Sequence, residues 1–218
     1  MPPTRRVAPE TPLHELEYAV VDVETTGHAH DGIDRVTEVA AVLVRQGRIA
    51  GQYATLVNPR RPIPVAVQRL TGITNAMVAG APEFADIADD LAAELSGRVF
   101  VAHNVAFDWG FVSAEFARAR GDELAGERLC TVRLARRLLS HLPRRNLDAL
   151  SAHYGIANRA RHRAFGDAEA TAEVFARMLD QLGRDGVHTW RDLRALLAGR
   201  KRRRRSALPQ PVFDFRIA

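Results

Sequence analysis

The stretch Tyr18-Ala19-Val20-Val21-Asp22-Val23-Glu24-Thr25-Thr26-Gly27 decides how the rest of the chain reads. It opens as an apolar, β-rich run, the pattern of a strand buried in the middle of a sheet. Side chains alternate along a strand, so Asp22 and Glu24, at i and i+2, leave one strand end on the same face. Two like charges side by side repel, and burial raises the cost of keeping both ionised. A divalent cation that prefers carboxylate oxygen, such as Mg²⁺, would relieve that repulsion. Thr25-Thr26-Gly27 then turns the chain tightly, with a glycine where a ligand could come close to the backbone. Asp-x-Glu alone is equally well explained as a strand end with two solvated acids, so other segments must discriminate.

A chain of 218 residues with 46% hydrophobic content can bury a full core, and one main domain plus tails is the simplest count. No apolar run approaches the ~18 residues needed to span a membrane. Residues Met1 to Pro12 carry two arginines and no apolar core segment, so a short disordered lead without a signal peptide is expected. Cys130 stands alone, which excludes an internal disulfide and suits a reducing cytoplasm. The net charge of +5 is unevenly spread. Arg200 to Arg205 places six cations in a row, and nine arginines lie between Arg128 and Arg163 against the single acid Asp148. The remainder, which includes the carboxylate strand, is net acidic. A polyanion gripped by arginine and cut beside carboxylates would need that arrangement, although arginine as the general basic residue of this chain explains it too.

Downstream of the first strand, Arg35 to Arg45 and Ile49 to Val57 read as two more strands joined at Gln46-Gly47-Arg48. Val65 to Leu70 reads as a short helix closed by Thr71-Gly72-Ile73-Thr74, and Pro82 starts a helix carrying Phe84, Ile87, Leu91 and Leu95 inward. Arg98 to His103 is another buried strand, with Asn104 placed to cap a helix from Val105 to Arg120. Leu129 to Val132 is a short strand or helix entry, and Arg133 to Leu142 is helical. Asn146 caps a helix through Tyr154, Gly166 to Leu182 forms a long helix, and Thr189 with Asp192 opens a last one through Leu197. Three opening strands followed by alternating strands and helices predict a mixed α/β sheet with helices on both faces.

Asp108 falls in the first turn of the helix after the fourth strand, and Asp167 at the start of the long helix. Each has an ordinary explanation as an acid near a helix N-terminus. His162 lies five residues before Asp167, on the preceding loop. Four carboxylates from three segments, each at a strand end or helix start, could converge on two metal ions about 4 Å apart. A loop histidine beside them could take a proton from water. The three motifs are Val21-Asp22-Val23-Glu24-Thr25-Thr26-Gly27, Ala102-His103-Asn104 through Phe107-Asp108, and His162 through Asp167-Ala168. Together they resemble the DEDDh exonucleases of the ribonuclease-H-like superfamily. That group includes the proofreading epsilon subunit of bacterial DNA polymerase III and ribonuclease T. Thr71-Gly72-Ile73-Thr74 and Asn146-Leu147-Asp148-Ala149-Leu150 are similar to landmarks of the same family.

The resemblance implies a ribonuclease-H-like fold and 3′→5′ removal of 5′-mononucleotides from DNA, in proofreading or repair. It implies that Asp22, Glu24 and Asp167 hold one Mg²⁺ and that Asp22 with Asp108 serves a second, Mn²⁺ substituting. His162 becomes the base for the attacking water. Thr25, Thr26, Gly27, Thr71, His103, Asn104 and Phe107 would line the pocket for the terminal nucleotide. The expected partners are single-stranded DNA or RNA 3′ ends, with no membrane. The tail segment Gln210 to Phe215 resembles peptides that grip a sliding clamp, which could link the chain to a polymerase. The expected layout is a lead over residues 1–13, the exonuclease domain over 14–184, a helix over 185–199 and a basic tail over 200–218. An exoribonuclease with the same site, or an inactive nucleic-acid-binding module, would be the alternatives.

Overall fold

The computed structural model describes residues 7–30, 32–121, 124–158 and 160–199. The basic run Arg200 to Arg205 and the clamp-like segment Gln210 to Phe215 lie outside the described residues. β1 (Glu17–Thr25), β2 (Val36–Arg45) and β3 (Arg48–Leu56) pair antiparallel. β4 (Val99–Ala102) and β5 (Arg128–Cys130) then add parallel, giving the order β3-β2-β1-β4-β5. This is the mixed sheet expected from the sequence. The β2–β3 hairpin closes over Gln46 and Gly47, both with left-handed backbone (φ 51° and 72°), the pair of conformations a tight two-residue hairpin turn requires.

Helices cover both faces because the strands alternate. Tyr18 and Val20 of β1 join Val42, Val101, Phe175 and Met178 under α5 (Thr131–Leu138), α6 (Leu147–Tyr154), α7 (Ala164–Arg184) and α8 (Trp190–Leu197). Ala19, Val21 and Val23 pack on the opposite side with Phe84, Leu91, Phe111 and Phe116 of α3 (Phe84–Leu95) and α4 (Val105–Arg120). Asp22 and Glu24 share the parity of Tyr18 and Val20. They therefore emerge on the face of α7, which packs along β1 and β2. β1 pairs with β4 only from Tyr18 to Val20. Beyond that point the two strands part, opening a crevice at their carboxyl ends, where α/β sheets take ligands.

Several boundaries differ from expectation. Part of the presumed disordered lead is folded: Val7 and Leu13 are buried in the core, and Pro12 bridges to Thr189. α1 (Val65–Thr71) is followed by a short α2 (Asn75–Ala79) that the sequence reading lacked. Thr74 caps it by accepting the Met77 N–H, a signal too short for periodicity to reveal. α5 begins at Thr131 and stops at Leu138, not at Leu142. Arg145 donates to the carbonyls of Leu139 and Ser140, satisfying the chain where it leaves the helix. Asn104 precedes α4 in a left-handed conformation (φ 73°), and its side chain makes no capping bond. No helix among the described residues is long and apolar enough to cross a membrane.

Candidate active site

β1 delivers Asp22 and Glu24, and the first turn of α7 delivers Asp167 against them. One oxygen from each of these three carboxylates lies within 4.8 Å of the other two. That is a compact, all-oxygen donor set of the kind hard divalent cations take. Asp108, at the start of α4, stands just outside the trio. Its carboxylate accepts the Val23 N–H at 3.2 Å, at the point where β1 has parted from β4. A small cavity of about 160 Å³ adjoins the trio, lined by Asp22, His103, Asn146, Asp148, His162 and Asp167.

The electrostatics follow from crowding. Burial, then Asp108, Asp167 and Glu24, raise Asp22 well above the usual carboxylate range. Burial also pushes Glu24 up to about 7, with Asp167 and Glu38 adding to it and Arg163 opposing. Asp108 rises to about 8, mainly by burial, against the backbone hydrogen bonds it accepts. Acids in this state are short of positive charge, so a cation fits the site on electrostatic as well as geometric grounds. His103 moves the other way, down to about 4 through burial, with its Nδ1 2.9 Å from the Thr131 hydroxyl. It is therefore neutral at pH 7.

The pocket residues expected around a terminal nucleotide are not all brought to the acids. The Thr25 hydroxyl donates to the Gly27 carbonyl at 2.5 Å, and the Thr26 hydroxyl donates to Asp34 while accepting the Arg35 N–H. The Thr25 hydroxyl is thus held within its own turn, and that of Thr26 by the far end of the loop at Asp34 and Arg35. Gly27 is small for a local reason: a Cβ there would collide with the Asp34 carboxylate. Thr71 is buried, donates to the Val67 carbonyl and accepts the Ile73 N–H, closing α1. Asn104 is exposed, and Phe107 packs on Phe111 at 4.9 Å with the His28 ring 6.1 Å away. Of these candidates His103 lines the acidic cavity, where it is joined by His162, the expected base.

Other residues of the site went unnoticed in the sequence. Glu38 of β2 is the direct partner of Glu24, beside a bulge where Thr25 pairs with Val36. Its buried carboxylate receives Arg163 and the Ala164 N–H. Asn158 donates to Asp167 at 2.5 Å, and the His162 N–H reaches the other Asp167 oxygen at 3.0 Å. Arg161 pairs with Asp148 at 2.6 Å across the cavity mouth. A charged residue inside the apolar run Val36 to Val44 was the available signal for Glu38, but its partner is 125 residues away in the chain.

Fold and site define the class: a ribonuclease-H-like α/β domain with an acidic centre at the carboxyl end of its first strand. A family model described as exonuclease, RNase_T, matches residues 19–175, and the chain belongs to that family. It is 41% identical over 189 residues to a DNA polymerase III subunit epsilon-like protein of Rhodobacter capsulatus, covering 83% of this chain and 26% of that one. The 3′-5′ exonuclease DinG of Bacillus subtilis is 34% identical over 184 residues, covering 84% and 20%. The chain thus spans less than a third of the length of these relatives. Among solved structures, exonuclease X in complex with 5′ overhanging duplex DNA superposes with a TM-score of 0.62 at 30% identity, covering 78% of this chain and 93% of that one. E. coli exonuclease I with a dT13 oligonucleotide shares the fold, with a TM-score of 0.68 at 19% identity over 78% of this chain and 42% of that one.

Proposed function

We propose that this domain is a divalent-metal-dependent 3′→5′ exonuclease that removes 5′-mononucleotides from DNA ends, in replication proofreading or repair. The observation that carries the reading is the convergence of Asp22, Glu24 and Asp167 beside a cavity that also holds His162. Bound Mg²⁺ or Mn²⁺ would ease ionisation of water at neutral pH and offset charge on the phosphorane-like transition state. Asp22, Glu24 and Asp167 would hold one ion, and Asp22 with Asp108 the other. His162 accepts the proton of the attacking water. His103, held down to about 4, is too weak a base for that task and serves as a neutral hydrogen-bonding group.

DNA as substrate is supported by the relatives' names and by the DNA held in the exonuclease X and exonuclease I structures. End-labelled single-stranded DNA and RNA, incubated in parallel with Mg²⁺ and with EDTA, test the proposal. Stepwise loss of DNA 3′ ends in Mg²⁺ alone is the expected result. Loss of RNA without loss of DNA would make it an exoribonuclease, and binding without cleavage would make it a nucleic-acid-binding module. For the tail, we propose that Gln210 to Phe215 is a sliding-clamp ligand in a cytoplasmic protein. The free peptide should bind the clamp at about micromolar concentration, and no binding at high micromolar would end that idea.

A further inference from the structure

His162 sits in a backbone conformation that its residue type resists. Its φ is +58°, in the left-handed region that non-glycine residues enter only when their surroundings hold them there. On its N-terminal side Asn158 ties the loop to Asp167 at 2.5 Å and the Ala160 carbonyl lies against Gly166. Arg161 and Asp148 form a half-exposed ion pair, with side-chain exposures of 54% and 41%, and such pairs hold weakly. The His162 N–H itself is tied to Asp167.

On its C-terminal side the hold is strong. Glu38, 6% exposed, takes Arg163 Nε at 3.0 Å and Nη2 at 2.6 Å, and the Ala164 N–H at 2.8 Å. These donors belong to the two residues that follow His162 and open α7. One buried carboxylate on β2 therefore nails the backbone immediately behind His162 to the sheet. Stability is a poor reason for the pair, since the Arg163 side chain is 41% exposed and solvent screens what the ion pair contributes. Position is a better one, because a charge-assisted fork specifies direction as well as distance.

We propose that Glu38 and Arg163 form a positioning clamp that holds His162, in its left-handed conformation, against the acidic centre. Neither residue touches the reacting atoms. The clamp rests on the reading of His162 as the base, and it adds that the base loop is aimed from β2, the strand next to the one carrying Asp22 and Glu24. Its effect falls on the chemical step, with substrate and metal binding left intact.

A double-mutant cycle on the full chain tests it, using single-turnover cleavage of end-labelled single-stranded DNA in saturating Mg²⁺, with Mn²⁺ affinity measured alongside. Glu38→Gln should slow kcat by about 10–10²-fold, with KM and Mn²⁺ affinity within about twofold of wild type. In a His162→Ala background the same change should cost nothing further, because there is no base left to aim. Should Glu38→Gln fold poorly, Glu38→Met with Arg163→Met replaces the pair by apolar side chains. That variant leaves the Ala164 N–H without its acceptor, so a modest fall in Tm is expected, and it should still fold and be slow. Wild-type kcat in the double methionine variant, or losses that add in full when His162→Ala is itself slow, would overturn the clamp alone. A normal rate in His162→Ala would overturn the base assignment and the clamp with it.

Discussion

Glu24 and Glu38 stand directly opposite one another across β1 and β2, two acids on one face of an antiparallel pair. Such a pairing is repulsive by itself. Arg163 reconciles it by closing on Glu38, and the same guanidinium lowers the charge cost at Glu24. Glu38 is thereby tied into the fold. Glu24, still pushed up to about 7, is left facing Asp167 and Asp22 with charge to offer a cation.

The site should trade stability for activity. Asp22→Asn removes one of the repelling charges while keeping the side chain's shape. In EDTA at pH 8 its Tm should equal or exceed that of wild type, while cleavage in Mg²⁺ falls by at least ~10³-fold. Thermal scans and turnover on labelled DNA check the two halves. Near-normal turnover would remove Asp22 from the centre.

Stability without metal should fall as pH rises from about 5 to about 8. Unfolded aspartate and glutamate titrate near ~4, whereas folded Glu24 and Asp108 do so near about 7 and about 8. Between those limits the folded chain keeps protons that the unfolded chain has released, so each step in pH favours unfolding. Mg²⁺ or Mn²⁺ should cancel the loss, which makes the metal-induced rise in Tm larger at pH 8 than at pH 5. Calorimetry at both pH values, with and without metal, measures this. A metal shift independent of pH would contradict it.

His162→Ala should lose about 10²–10⁴-fold in rate. Because His162 gives the acids only its backbone N–H, Mn²⁺ affinity should be kept. Titration of the variant with Mn²⁺ separates the outcomes: loss of metal binding would make the histidine structural.

Gly166 is small so that the loop before α7 can lie against the helix. A Cβ there would collide with the backbone carbonyl of Ala160, which has no rotamer by which to escape. Gly166→Ala should therefore push the His162 loop outward, costing about 1–3 kcal/mol of stability and up to ~10²-fold in rate. Denaturant unfolding and single-turnover kinetics give the two values. A variant with both unchanged would show that the loop packs elsewhere.

Local patterning put Asp22, Glu24, Asp108 and Asp167 at strand ends or helix starts and His162 on the loop before one, and the family resemblance of the three motifs nominated the five together. The mixed sheet was legible from the apolar, β-rich runs of β1 and β2 and from the turn at Gln46 and Gly47, whose left-handed backbone closes the hairpin. Only the tertiary structure decided the surroundings. The register of β1 on β2 put Glu38 beside Glu24, and the fold brought Arg163 to it across 125 residues. The hydroxyls of Thr25 and Thr71, candidates for a nucleotide by motif, turned to nearby backbone carbonyls, and that of Thr26 to the Asp34 carboxylate. A motif specifies which side chains leave a segment together. Which of them find a partner first depends on pairing and packing between segments far apart in the chain, and those relations have no local signature.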